Sequence, residues 1–218
     1  MAEVRAEISM SLDGFVAGPN QNLEQPLGAG GELLHEWAFP LKTFREMHGR
    51  EGGETGPDDE LMAETVRATG AEIMGRRMFS GGEGPWEDDP NADGWWGDNP
   101  PFHTPVFVLT HHAREPLVKQ GGTTFTFVTD GIESAHKQAR EAAGGKDVAI
   151  GGGASAIQQA VNAGLVDELL IHAVPVLLGA GARLFDGIET IPQRLELSRH
   201  ATSPTGVAHL TFSFPDGS

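Results

Sequence analysis

DVAIGGGASAIQQAVNAGLVDELLIHAVPVLLGAGARLFD, residues 147 to 186, is the stretch from which the rest of the chain is read. Val148, Ala149 and Ile150 form a short apolar run that reads as a buried strand. It ends at Gly151, Gly152 and Gly153, where the absence of a Cβ lets a ligand approach the backbone. The pattern then predicts a helix with Ile157, Ala160, Val161 and Leu165 on one face and Gly164 as its stop signal, followed by a second apolar strand. The first amides of a helix have no partner within it and carry partial positive charge, so Gly152 to Ser155 is a candidate pyrophosphate cradle. Tight strand-to-helix packing without a ligand explains the same glycines, and on the glycines alone both readings stand.

The chain of 218 residues is long enough to bury one sizeable core, and it is expected to form a single domain over residues 1–218. Its apolar fraction of 39% and charged fraction of 21% suit a soluble globular protein. No stretch approaches the roughly 18 apolar residues that cross a bilayer, so no membrane partner is expected. The N-terminal residues enter a strand pattern without the charged and apolar regions of a signal peptide. Cysteine is absent, which excludes disulfides and thiolate metal sites and makes the cytoplasm the expected compartment. A formal charge of -16 repels a phosphate backbone, so nucleic acid is not an expected partner either. An acidic chain can still hold an anionic cofactor where its few cations are placed locally.

In chain order, Val4, Ala6, Ile8 and Met10 alternate with Arg5, Glu7 and Ser9 and predict a half-buried strand. Asp13-Gly14 and Gly18-Pro19-Asn20 are turn signals. Leu34, Trp37, Leu41, Phe44 and His48 have helical spacing, interrupted by Pro40. Pro57 followed by Asp58, Asp59 and Glu60 starts another helix, with Met62 and Val66 on its inner face and Gly70 at its end. Residues 71–74 read as a strand, and Gly75, Arg76, Arg77, Met78 and Phe79 make a second strand-to-helix junction, this one with two cations. Residues 81–105 are aperiodic and read as a long loop insert, a solvated lid whose tryptophans Trp86, Trp95 and Trp96 argue against disorder. Strands follow at 105–110 and 124–128, then a helix at 132–143. Two final strands, 193–197 and 207–214, are joined by a turn at 203–206. Strands alternating with helices before a terminal hairpin predict an α/β fold with a mixed, mostly parallel sheet.

Gly151, Gly153 and Ala156 match the loose G-x-G-x-x-A pattern, but a Rossmann unit needs a carboxylate at the end of the following strand. His172 to Val176 contains none, so that reading is excluded. A Walker loop is excluded because no Gly-Lys-Ser/Thr follows the glycines. Arg76 and Arg77 offer planar donor pairs suited to a phosphate monoester, which favours NADPH over NADH, although solvated surface arginines are the commoner meaning of such a pair. His111 and His112 are adjacent and cannot share an ion on a strand, and the remaining histidines lack ligand spacing, so no metal is expected. His172, on an apolar strand, reads as a satisfied core histidine. Asp13 is a candidate for substrate contact or proton relay, or only the first residue of an Asp-Gly turn.

Taken together, MSLDGFVAG, IMGRRMF, VFVLTHH and IGGGASAIQQAVNAGLVDELLIHAVPVLLGAGARLF resemble the dihydrofolate reductase-like proteins. The helix ending in GLVDEL and the strand with Pro-Val-Leu-Leu-Gly especially resemble the branch of the C-terminal reductase domain of the riboflavin biosynthesis enzyme (RibD C-terminal type). The resemblance covers nearly the whole chain in motif order. It implies a twisted, mostly parallel sheet flanked by helices, a C-terminal antiparallel hairpin, NADPH as cofactor, a small-molecule substrate and a homodimer. Carried over by motif, Gly75, Arg76, Arg77 and Met78 would meet the adenosine phosphate and pyrophosphate, with Thr110 and His111 beside the 2'-phosphate. Gly151, Gly152, Gly153, Ala154 and Ser155, with Ile157, would hold the pyrophosphate. Asp13, Gly14, Phe15 and Ala17 would border the nicotinamide and substrate, and Trp37 falls on the substrate side. If Trp37 and Pro40 match the family's Trp-x-x-Pro pattern, Lys42 stands where a pterin-holding acid is expected, and lysine has no acceptor for the pterin's donors. The expected activity is hydride transfer from NADPH to a small heterocyclic (pterin- or pyrimidine-like) or carbonyl-like substrate. The alternative is a non-catalytic protein that binds or senses NADPH.

Overall fold

Along β1 (Val4–Ser11), Ala6 and Ile8 face one side and Glu7, Ser9 and Ser11 the other, so this strand separates the two layers of the molecule. In the computed structural model, which describes residues 2–189 and 193–214, a nine-stranded sheet forms around it. To one side of β1 lie β8 (Glu168–Val174), β11 (Ala208–Ser213) and β10 (Glu196–Thr202). To the other lie β7 (Asp147–Gly152), β3 (Thr69–Gly75), β4 (Pro105–Leu109), β6 (Thr124–Val128) and β5 (Leu117–Val118). The strands from β8 to β6 run parallel, whereas β11, β10 and β5 are antiparallel to their neighbours. A separate pair, β2 (Phe15–Ala17) with β9 (Ala182–Arg183), closes the turn after β1.

Parallel neighbours need crossovers, and helices supply most of them. Helix α2 (Pro57–Ala68) leads into β3 and α3 (Arg76–Ser80) leaves it; α4 (Ile132–Ala142) precedes β7 and α5 (Ala154–Asn162) follows it. Ala71, Ile73, Phe107, Leu109, Val148 and Ile150 meet Ala135, Ala139, Ile157 and Ala160 of α4 and α5 in the main core. The opposite face of β3, β4 and β6 presents Met74, Val106, Val108 and Phe125. Among the described residues no long helix packs in that cluster. Phe79, Trp86, Trp96 and Phe102 pack there instead, with Phe79 and Phe125 edge to face at 5.0 Å and Trp96 and Phe102 at 4.8 Å. The insert at 81–105 is therefore a covering layer of the core and not a solvated lid. Trp86 Nε1 pins it by donating to the His112 carbonyl at 2.7 Å.

The helix expected across Leu34 to His48 divides into a 3-10 turn, Gly31–Leu34, and α1 (Lys42–Met47), with Pro40 between them. Trp37, Ala38 and Leu41 are buried in that intervening segment. Gly70 does not end α2 but lies inside β3, where a Cβ would collide with the Ala143 carbonyl. The inner face of α2 is also rotated from the expected one. Val66 is exposed, while Asp58 and Asp59 are buried because Ser203 Oγ and the Thr43 amide donate to them. The terminal hairpin and its turn are present, but its first strand, β10, starts at Glu196 and runs to Thr202. Strands β2, β5 and β9 were not expected. At two or three residues they are too short for periodicity to reveal. Among the described residues no helix is long and apolar enough to cross a membrane.

Candidate functional site

Because β1, β7, β3 and β4 run parallel, the segments after Ser11, Gly152, Gly75 and Leu109 all emerge at one edge of the sheet. Ligands in open α/β sheets bind at this edge. Two of the segments touch. A Cβ built on Gly75 would lie 3.8 Å from the Gly153 nitrogen and 3.9 Å from Ala156 Cβ, so the two strand-to-helix junctions are side by side. A Cβ on Gly153, whose φ of -67° any residue could adopt, would meet nothing within 4 Å. Gly152 has φ of 117°, which favours glycine on backbone grounds, and the peptide joining it to Gly153 is cis. Met78 packs against this run, its Cε 3.4 Å from the Cβ position of Gly151. At the start of α5 no side chain caps the helix. The Ala154 and Ser155 amides have no preceding turn to donate to, which is what an anion needs.

The structure separates the expected arginine pair. Arg76 is 7% exposed, bonded through Nη2 to Asp89 Oδ2 at 2.5 Å, with its guanidinium carbon 3.6 Å from the centre of the Trp86 ring. Its Nε and Nη1 have no partner among the described residues. Arg77 is exposed and pairs with Glu83 at 2.7 Å. Of the two, only Arg77 stands at the surface, while Arg76 ties the insert to the sheet and keeps two spare donors. Thr110 is buried, its amide donating to the Val128 carbonyl and its hydroxyl accepting from the His112 amide, while His111 is exposed. Ile157 is placed differently from its glycine neighbours. At 1% exposure its side chain fills the main core, so only its backbone lies near the cradle.

Around β1 the expected substrate residues serve mainly as framework. The Asp13 carboxylate accepts from Ser11 Oγ at 2.6 Å and from the amides of Leu178 and Gly179 at 3.1 and 2.7 Å. The Ser11 hydrogen bond, with help from the two amides, holds its carboxyl at about 2. An ionised group with its acceptors engaged braces the Asp-Gly turn to the loop after β8, and it has no proton to give near neutral pH. Gly14 has φ of 87°, and a Cβ there would sit 3.3 Å from Arg183 Nη2. The Phe15 amide donates to Ser11 Oγ at 2.9 Å, and its ring lies 4.9 Å from the Arg183 guanidinium carbon. Ala17 is buried in β2. Trp37 is buried with its indole N–H on Ser9 Oγ at 3.2 Å and its ring against those of His172 and His209. Lys42 is exposed and pairs with Glu46 at 3.6 Å.

His172 is the satisfied core histidine that the sequence predicts, but sequence reasoning missed its polar partners beneath Trp37. Glu7 and Ser9 belong to a face that alternation marks as polar, and nothing in the alternation reveals that Trp37 and the 3-10 turn cover it. His172 is 3% exposed and bonds Glu7 at 3.0 Å and His209 at 2.7 Å. Burial and the nearby Glu7 charge push the Glu72 carboxyl up to about 8, although part of its surface stays accessible. Its Oε2 lies 3.8 Å from the Cβ position of Gly151. Burial, with His172 close by, pushes His35 down to about 4. Among the described residues no cluster of side chains suits a metal ion.

The profile of the RibD C-terminal domain matches residues 2–209. Similar solved structures include a riboflavin biosynthesis protein from Shewanella sp. PV-4, 20% identical, with a TM-score of 0.62 and coverage of 98% of this chain and 99% of that one. A pyrimidine reductase-like protein from Corynebacterium diphtheriae is 15% identical, with a TM-score of 0.56 over 99% of this chain and 93% of that one. A diaminohydroxyphosphoribosylaminopyrimidine deaminase/5-amino-6-(5-phosphoribosylamino)uracil reductase from Thermotoga maritima is 13% identical with a TM-score of 0.56. That match covers 98% of this chain but 57% of the longer one. At these identities the likeness establishes the fold. No curated protein matches the chain by sequence.

Proposed function

The chain belongs to the RibD C-terminal domain family, and we propose that it is an NADPH-dependent reductase acting on a small heterocyclic or carbonyl-like substrate. One observation carries the reading: the Gly75 and Gly153 junctions adjoin, with open space where a Gly153 side chain would be. This is a fit for a pyrophosphate, since the Ala154 and Ser155 amides supply donors and the missing Cβ leaves room. The spare Nε and Nη1 of Arg76 and the exposed Arg77 are the cations nearest that edge in sequence. Bound there, the reduced nicotinamide supplies a hydride, and the chain supplies orientation and exclusion of water. Asp13 fixes the turn after β1, so that Gly14 and Phe15 form a set border to the site. A heterocyclic substrate accords with the pyrimidine reductase-like and uracil reductase descriptions of the related structures.

A homodimer in the cytoplasm completes the proposal, and the sheet edge at β10, where Leu197 is exposed, is a surface a second copy could cover. The test is loss of reduced-nicotinamide absorbance across a panel of pyrimidine, pterin and carbonyl compounds, with binding measured in parallel. Turnover of one class supports a reductase. Tight NADPH binding with no oxidation across the panel supports the sensing alternative, and no binding of either nicotinamide cofactor refutes both.

A further inference from the structure

Gly151 has no register partner on either side of its strand. Strands β1 and β7 pair from Val4 opposite Val148 to Ala6 opposite Ile150 and no further, although β1 runs on to Ser11 and β7 to Gly152. On the other flank Ile73 pairs with Ile150 and Met74 with Gly152, so the register with β3 skips Gly151. A residue with neither side chain nor cross-strand partner leaves a gap in the polar face of the sheet, one residue before the cradle. Two carboxyls flank this gap. Glu7 follows Ala6 on β1, and Glu72 leans in from β3 until its Oε2 lies 3.8 Å from the Cβ position of Gly151. Met78 of α3 borders the same point, with its Cε at 3.4 Å and its sulfur at 3.9 Å.

The two carboxyls differ in their surroundings. Glu7 bonds His172 at 3.0 Å, whereas among the described residues no donor or cation pairs with Glu72. Beside Glu72 in the sheet stand Val106 of β4 and Ala149 of β7, and along β3 it lies between Ala71 and Ile73, both fully buried. Of the groups around it, Met78 of α3 and Gly151 of β7 are uncharged, and Glu7 of β1 is the one charged member. Burial, and after it Glu7, pushes the carboxyl up to about 8, so it holds its proton at neutral pH. An apolar side chain would fill the position without the cost of ionising a buried acid. Glu72 nevertheless keeps part of its surface accessible. An acid that lacks a structural partner and stands at an open gap beside a ligand cradle has the marks of a functional group.

We infer that Glu72 is a catalytic residue, whose carboxyl meets the substrate at the Gly151 gap and gives a proton to the heteroatom beside the carbon that receives hydride. The inference rests on the reductase reading for the reaction, and on the register gap and the placement of the side chain for the residue. When a hydride adds to the carbon of a C=O or C=N bond, a C–H bond forms and the π electron pair moves to the heteroatom. That pair takes the Glu72 proton, the O–H bond breaks, and a carboxylate remains. Once the product has left, the accessible carboxylate takes a proton from water. The sum is one hydride from the reduced cofactor and one proton from solvent added to the substrate. The missing side chain at Gly151 is what lets the acid and a substrate atom share the gap.

The test begins with the cofactor-free protein, labelled with 13C at its glutamate carboxyls, the Glu72 signal being identified by its loss in Glu72→Gln. Its titration should have a midpoint of about 8, and a midpoint in the ordinary range near 4.5 overturns the assignment, because Glu72 would then have no proton to give at neutral pH. Turnover is measured next, with NADPH and whichever pyrimidine, pterin or carbonyl compound the wild type reduces fastest. Glu72→Gln keeps the shape without an acidic proton, so it should bind NADPH as the wild type does and lower kcat by about 100-fold or more. The wild-type kcat should fall above about pH 8, and that fall should be absent from the residual activity of Glu72→Gln. Glu72→Asp, which restores an acid one methylene further back, should recover part of kcat together with an alkaline fall. Unchanged kcat in Glu72→Gln, or an alkaline fall that survives in it, refutes the catalytic role and leaves the reductase reading in place. A wild type that binds NADPH and reduces nothing refutes the reductase reading and the role with it, whichever midpoint Glu72 shows.

Discussion

Gly153→Ala separates the two explanations of the glycine run more sharply than any other single change. The native φ of -67° suits alanine, and the added methyl would meet no protein atom within 4 Å. Folding therefore gives no reason for glycine here. The substitution should leave stability within about 0.5 kcal/mol, or raise it slightly by restricting the unfolded chain. A bound pyrophosphate would have to retreat from the methyl. Losing one charge-assisted bond to an α5 amide costs about 1.5–3 kcal/mol, which corresponds to roughly a 10- to 150-fold rise in Kd for NADPH. Calorimetric titration with NADPH and a thermal melt of the same samples supply both numbers. Unchanged affinity would refute the cradle, and a large fall in Tm would make Gly153 a folding residue after all. Gly70→Ala is the control, since its Cβ would strike the Ala143 carbonyl and the loss should appear in stability.

Arg77→Ala, at an exposed ion pair, should raise the NADPH Kd by about tenfold or more, leave NADH binding nearly unchanged, and hardly affect stability; equal effects on both cofactors refute a 2'-phosphate contact. Arg76→Ala should instead destabilise by about 3–5 kcal/mol in a denaturant melt, because Asp89, whose side chain is 2% exposed, keeps its charge without its partner. Asp13→Asn should remove an acid-range contribution to stability. With the folded carboxyl held at about 2, that contribution is complete above the unfolded value near 4 and is lost as pH falls through about 2, so wild type and variant should converge only in strong acid. Glu72→Gln should act with the opposite sign. A carboxyl raised to about 8 costs nothing below its unfolded value of 4.5, costs progressively more up to about pH 8 and is constant above, so the variant should gain up to a few kcal/mol in alkaline melts and nothing near pH 4.

Most of the sheet is legible in the sequence because its strands bury both faces or alternate cleanly, as residues 105–110, 124–128 and 147–152 do. The two strand-to-helix junctions are equally plain, since glycine followed by a helical pattern is a local signal. What escapes is set by partners far away in the chain. Nothing near Arg76 announces Asp89 and Trp86 as its neighbours, and a buried arginine looks like a surface one until the insert folds over it. The acids of α2 look like dipole-complementing surface groups, yet Asp58 faces His209 across a sequence distance of 151 residues. The orientation of Ile157 is hidden for a different reason. A motif transfers a position, but the helix phase decides that its side chain enters the core.

The same phase argument explains why the site has two halves of different chemistry. On β7 alternation turns Val148 and Ile150 into the main core and leaves Ala149 and Gly151 toward the polar face, where small side chains make room for Glu7 and Glu72 on either side. The strand then ends in glycines, and the chain leaves as a helix start with free amides. One strand thus carries an anion cradle at its tip and the floor of a carboxyl pair one residue earlier. An acidic chain can build a cradle only from backbone donors and a few local cations, because its net charge of -16 opposes an anion everywhere else. A carboxyl beside that cradle repels a pyrophosphate less while it holds its proton. Glu72, whose carboxyl burial pushes up to about 8, meets that condition.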